Sequence, residues 1–170
     1  MEKDLFSAIK RMVSEKDVKG LSMLALSETD RAAVDAAITA LARVGNDEAV
    51  DELISFLSVE DAYLRNEAIE ALQLLGARAF DRVAALLKWE KPDLRIFALN
   101  ALKEMKDLRL RGLIRHVLEV ETDPNVASLA VECLSEVGSG EDVVLLEAVA
   151  RRFPDPYVRF AVDAARRRLE

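Results

Sequence analysis

This chain lacks most of the residues from which reactive sites are built. Its single cysteine, Cys133, leaves no partner for an internal disulfide and points to a reducing compartment. Its one histidine, His116, cannot assemble a three-ligand catalytic zinc site without added carboxylates or the cysteine. Aromatic residues are 5% of the chain and scattered, so nothing in the sequence gathers the walls of a tetrapyrrole cleft. No P-loop or dinucleotide fingerprint occurs; only Gly138 and Gly140 lie close together, in a turn between helices. No apolar run approaches the roughly 18 residues of a membrane span. The N-terminal MEKDLFSAIK carries acidic residues and no signal-peptide core, so no membrane association and a cytoplasmic location are expected.

What remains is a chain made to fold. Of its 170 residues 51% are hydrophobic and 32% charged, with 6 Gly and 4 Pro, a balance that suits one folded unit better than a disordered chain. A chain of this length buries roughly two thirds of its unfolded surface and needs no staple or metal. The net charge of −7 is unevenly spread. Residues 78–115 hold 10 Lys/Arg against 5 Asp/Glu, whereas residues 1–77 hold 8 against 15 and residues 116–170 hold 6 against 11. A basic middle between acidic flanks disfavours a non-specific polyanion binder and leaves room for a local anionic partner.

One phrase is written five times. Ala33, Leu64, Leu94, Val126 and Val158 occupy one position of a unit, and Ala37, Ala68, Ala98, Ala130 and Val162 the next apolar one. Ala40, Ala71, Ala101, Cys133 and Ala165 follow, then Leu41, Leu72, Leu102 and Leu134. Successive copies are 31, 30, 32 and 32 residues apart. Such a period means stacked units, none of which can bury its apolar face alone. Within a unit the spacing is helical, and the recurring small residues permit close helix approach. On this register Cys133 reads as a small buried hydrophobe and not a nucleophile.

A second helix follows each phrase, at about 47–58, 79–89, 109–120 and 141–152. Gly45, Gly76 and Gly138 close the first helices in the left-handed conformation, while Lys106 in the third unit implies a different turn. Pro92, Pro124 and Pro156 sit at first helical positions, where a missing N–H costs nothing. Ser14 with Asp17 and Ser139 with Asp142 resemble capping boxes. The expected architecture is an all-α right-handed α-solenoid in one domain over residues 1–170. It has an atypical repeat at 1–28, regular repeats at 29–152 and a capping helix at 153–170, about eleven helices in all. Arg166, Arg167 and Arg168 give that last helix a charged, water-facing side.

The phrases DPYVRFAV at 155–162 and DPNVASLA at 123–130, on a two-helix unit near 31 residues, resemble HEAT repeats. More narrowly, they are similar to the short prokaryotic HEAT-like type found in relatives of bilin lyases. The resemblance implies curved, armadillo-like stacks whose second helices line a concave face that binds proteins. Some HEAT-like proteins resemble di-iron hydroxylases, which need several His-Glu pairs; this chain has no His-Glu dipeptide.

No enzyme activity, cofactor or metal is therefore expected, and the function expected is that of a protein-binding scaffold. Asp47–Glu48, Asp51–Glu52, Glu60–Asp61 and Glu141–Asp142 read as helix-start residues favoured by the positive dipole end. Candidate partner-binding residues are Arg82, Arg109, Arg111 and Arg115, with Arg111 and Arg115 one turn apart on one helical side. They read either as an anchor for carboxylate or phosphate groups or as a solvated face balanced by Asp81, Glu104 and Asp107. Trp89, the only tryptophan, reads equally as an interface anchor and as a plug between units. Asp51 and Glu52, with Asp47 and Glu48, give the opposite end of the groove an acidic character. The partner expected is another protein or peptide. Nucleic acid held by residues 78–115, or a second copy in a homo-oligomer, are the alternatives.

Overall fold

Four of the five restarts of the repeat are set by a short acidic cap; the third begins after Lys91, which makes no side-chain cap hydrogen bond. Asp61 accepts hydrogen bonds from the N–H groups of Tyr63 (2.8 Å) and Leu64 (3.4 Å). Asp123 does the same for Asn125 and Val126, and Asp155 for Tyr157 and Val158. Asp30 caps its helix through Ala32. These side chains satisfy donors that the first helical turn leaves orphaned. The prolines at 92, 124 and 156 each open a helix, as their fixed φ favours.

The structure, a computed structural model, describes residues 2–28 and 30–170, with side chains from residue 4 onward. The expected boundary between atypical and regular repeats falls at residue 29, outside the described residues. The described residues form eleven α-helices and no strand. They pack as two compact units, one running to Val83 and one from Ala84 to Glu170. The first holds α1 (Glu2–Glu15), α2 (Val18–Ser27), α3 (Arg31–Val44), α4 (Asp47–Ser55), α5 (Ala62–Leu75) and most of α6 (Ala77–Ala85). Here α3 packs between α1 and α5, and α2 lies against α4. The second holds α7 (Pro92–Glu104), α8 (Leu110–Val120), α9 (Pro124–Val137), α10 (Val143–Arg152) and α11 (Pro156–Leu169). Here α9 packs between α7 and α11, and α8 lies against α10. Within each unit first helices stack on first helices and second on second, the layering of an all-α repeat solenoid.

The core is the repeated stripe. Ala37, Ala68, Ala98 and Ala130 are wholly buried, as are Leu41, Leu72, Leu102 and Leu134. A methyl side chain at the alanine positions lets neighbouring helix backbones approach closely. Cys133 occupies the same small-residue position and is buried, which pushes its thiol up to about 12.

The helix ends differ from expectation at three places. Gly45 (φ 54°) and Gly76 (φ 54°) take positive φ, but Gly138 is extended, at φ −82° and ψ −174°. What glycine supplies at 138 is space, since a Cβ there would lie 2.5 Å from the Leu134 carbonyl oxygen. Lys106, at the same register, takes φ 52°, so the third turn keeps the left-handed residue without a glycine. Ser14 forms no capping box: it lies in the last turn of α1 and donates to the Arg11 carbonyl. Asp17 is itself the cap of α2, accepting from the Gly20 N–H. At the other site Asp142 does accept from the Ser139 N–H, at 2.9 Å.

Candidate functional site

The arginines expected to form a basic anchor are each held by carboxylates of this chain. Arg82, on α6, lies between Asp47 (2.8 Å) and Asp51 (2.5 Å), which are one turn apart on α4. Thus Arg82 and Asp51, assigned to opposite ends of a groove, are partners. Glu52 turns the other way and accepts from the hydroxyl of Ser22, a buried residue of α2. Asp51 and Glu52 therefore serve mid-helix, tying α4 to its two neighbours, and are not helix-start residues. Arg109 folds back on Asp107, with Nη2 to Oδ2 at 2.8 Å and Nε to Oδ1 at 2.9 Å. The Arg109 side chain and then its backbone N–H hold the Asp107 carboxyl down to about 2.

Arg111 and Arg115 do share one side of α8, and they clasp a single carboxylate. Asp142, with 0% of its side chain exposed, receives Arg111 Nε at 3.0 Å and Arg115 Nη1 on its other oxygen. Arg111 also reaches Ser139 Oγ at 2.7 Å and Glu141 at 3.2 Å. Burial alone would raise the Asp142 carboxyl. The Ser139 N–H and the two guanidiniums outweigh it and leave Asp142 below the ordinary carboxylate range.

Trp89 stands apart. It follows a short 3-10 turn (Leu86–Lys88) and keeps 48% of its surface exposed. It lines a cavity of about 290 Å³ whose far wall is α8, through Leu113, His116, Val117 and Val120. Arg95 and Glu121 close the cavity with a nearly buried two-pronged ion pair, Nε–Oε2 at 2.9 Å and Nη2–Oε1 at 2.8 Å. Arg95 also donates to the carbonyls of Trp89 (2.7 Å) and Glu90 (3.0 Å), which fixes the turn that carries the indole. Lys88 lies on the rim and has no ion-pair partner among the described residues. Among those residues no three His, Cys, Asp or Glu side chains gather where they could hold a metal ion. Among the described residues no helix is long and apolar enough to cross a membrane.

The HEAT-repeat family pattern matches this chain twice, over residues 18–88 and 80–166. The chain is a HEAT-repeat protein. The crystal structure of an engineered protein is similar to it at 21% identity, covering 96% of this chain and 83% of that one with a TM-score of 0.39. No curated protein matches it.

Three residues of this HEAT-repeat protein escaped the sequence reading. Asp142 was legible only as a helix-start residue and half of a capping box, because the arginines it serves lie 31 and 27 residues away. Arg95 and Glu121 are 26 residues apart and carry no local signal of pairing. A faint sign exists for Arg95: Arg65 holds the equivalent place one repeat earlier and donates to the Val59 carbonyl at 2.8 Å. That is the same bond, from the same position of the unit.

Proposed function

We propose that this HEAT-repeat protein is a protein-binding scaffold, and that its partner docks on the face built from second helices. The observation that supports this reading is Trp89, a half-exposed indole on a rigid turn beside a cavity. Large amphipathic rings in partly formed pockets are the residues on which binding energy concentrates. HEAT repeats commonly serve as interaction scaffolds, which agrees with this use of the fold. The paired state of Arg82, Arg109, Arg111 and Arg115 counts against nucleic acid as the partner. A phosphate would have to displace a carboxylate already in place, and the counterion release that drives such binding would be small. The test is capture of partners from the source lysate on the native chain and on a Trp89→Ala variant, after circular dichroism shows both folded. A protein retained by the first and lost by the second is the expected result. Equal retention by both baits would move the partner to another face, and recovery of nuclease-sensitive material alone would end the scaffold reading.

A further inference from the structure

The cavity beside Trp89 has a chemistry that narrows the partner. Its walls are apolar on both sides: Leu87 and Trp89 from the turn, Leu113, Val117 and Val120 from α8. At about 290 Å³ it is at the small end of the range for small-molecule sites, roughly 300–1,000 Å³. It suits one or two inserted side chains better than a cofactor. The site is also preformed, since Arg95 holds the Trp89 and Glu90 carbonyls and is held in turn by Glu121. Preorganisation of this kind reduces the ordering cost of binding.

Charge supplies the second constraint. Four ionisable groups line the cavity: Lys88, Arg95, His116 and Glu121. Arg95 and Glu121 neutralise each other, and Glu121 is further occupied by the N–H groups of Thr122 and Asp123. His116 faces Glu119, Nδ1 to Oε2 at 3.8 Å, on the solvent side of α8. Lys88 alone is left with an unanswered charge, directly beside the indole. A complementary ligand therefore presents an apolar group to the walls and an anion to Lys88.

Resting on the scaffold reading above, we propose that the Trp89 cavity takes a linear protein segment with a bulky apolar side chain and a neighbouring carboxylate. The apolar side chain enters between Trp89 and Val120, and the Asp or Glu beside it meets Lys88.

The experiment selects binders from a random-peptide display library on the native chain. Survivors are then scored against Trp89→Ala, Val120→Glu and Lys88→Glu, each first checked by circular dichroism. The best peptides are synthesised and titrated against the native chain, with the single tryptophan reporting occupancy through its emission. The expected survivors carry an aromatic or branched aliphatic residue within a few positions of Asp or Glu. They should lose at least tenfold in affinity on Trp89→Ala or Val120→Glu, lose about tenfold on Lys88→Glu, and shift the emission on binding. Survivors without an acidic residue, or indifferent to Lys88→Glu, overturn the carboxylate requirement. Survivors indifferent to both wall substitutions overturn the cavity. If the library yields nothing while lysate capture still finds a Trp89-dependent protein, the linear segment is overturned and the scaffold reading stands. If capture fails as well, both fall.

Discussion

The two units tie their second helices together at the same spacing but in opposite proportion. In the first, one arginine, Arg82, answers two aspartates one turn apart on α4, and Asp47 and Asp51 are largely exposed. In the second, two arginines one turn apart on α8 answer one aspartate, and Asp142 is wholly buried. Arg82–Asp51 and Arg111–Asp142 each span 31 residues, one repeat. Where the shared group faces water, its charge is screened and the tie is weak. Where it is buried, its partners must neutralise it, and losing either side leaves a charge in a low-dielectric place. One repeat geometry thus carries a weak bond in one unit and a strong one in the other.

The largest effect is expected from removing the buried charge within the second unit. Breaking a buried ion pair costs about 3–5 kcal/mol. Because Arg111 and Arg115 keep 34% and 39% of their side chains in water, Asp142→Asn should cost less, about 2 kcal/mol by urea unfolding. The effect should also depend on pH. The folded Asp142 carboxyl lies below its unfolded value of about 3.9, so its contribution is complete above that pH. It is lost as pH falls through the folded value, and Asp142→Asn should flatten the acid limb of the stability profile. An acid limb unchanged by the substitution would refute this account of Asp142.

A smaller effect is expected at the helix ends, where the units also differ. After α3 the first unit meets positive φ with Gly45, a residue suited to it; after α7 the second meets it with Lys106, which is not, as Lys16 is not at the end of α1. The left-handed region costs a non-glycine residue about 1–2 kcal/mol. Lys106→Gly should therefore raise stability by about 1 kcal/mol, after the added entropy of the unfolded chain is counted. Arg82→Ala should show least. A small loss at low salt that vanishes at high salt is the mark of an exposed pair.

Legibility in the sequence follows contact range. The buried stripe was plain because Leu64, Ala68, Ala71 and Leu72 fall within one helix, where the period itself names the inner face. The same holds for the proline starts. The ties were not plain. Which of 31 acidic residues meets Arg111 depends on how two neighbouring repeats are superposed, and no local pattern reports that offset. Reading Arg111 and Arg115 as one face was correct; reading them as open to a partner overlooked Asp142, which lies 31 residues past the first of them. Trp89 was undecidable between plug and anchor because the cavity it lines is shared with Leu113 and Val120 of another helix, more than 20 residues away.

The clasp on Asp142 joins neighbours and adds little to either alone, and Arg152 does the same where it donates to the Leu118 and Glu119 carbonyls from α10. In a quasi-one-dimensional array, such interface bonds decide how many repeats melt as one. With the clasp cut, α10 and α11 should open while α7 and α8 remain closed. Amide hydrogens in the second unit should then exchange in two classes, against a single class expected for the native chain.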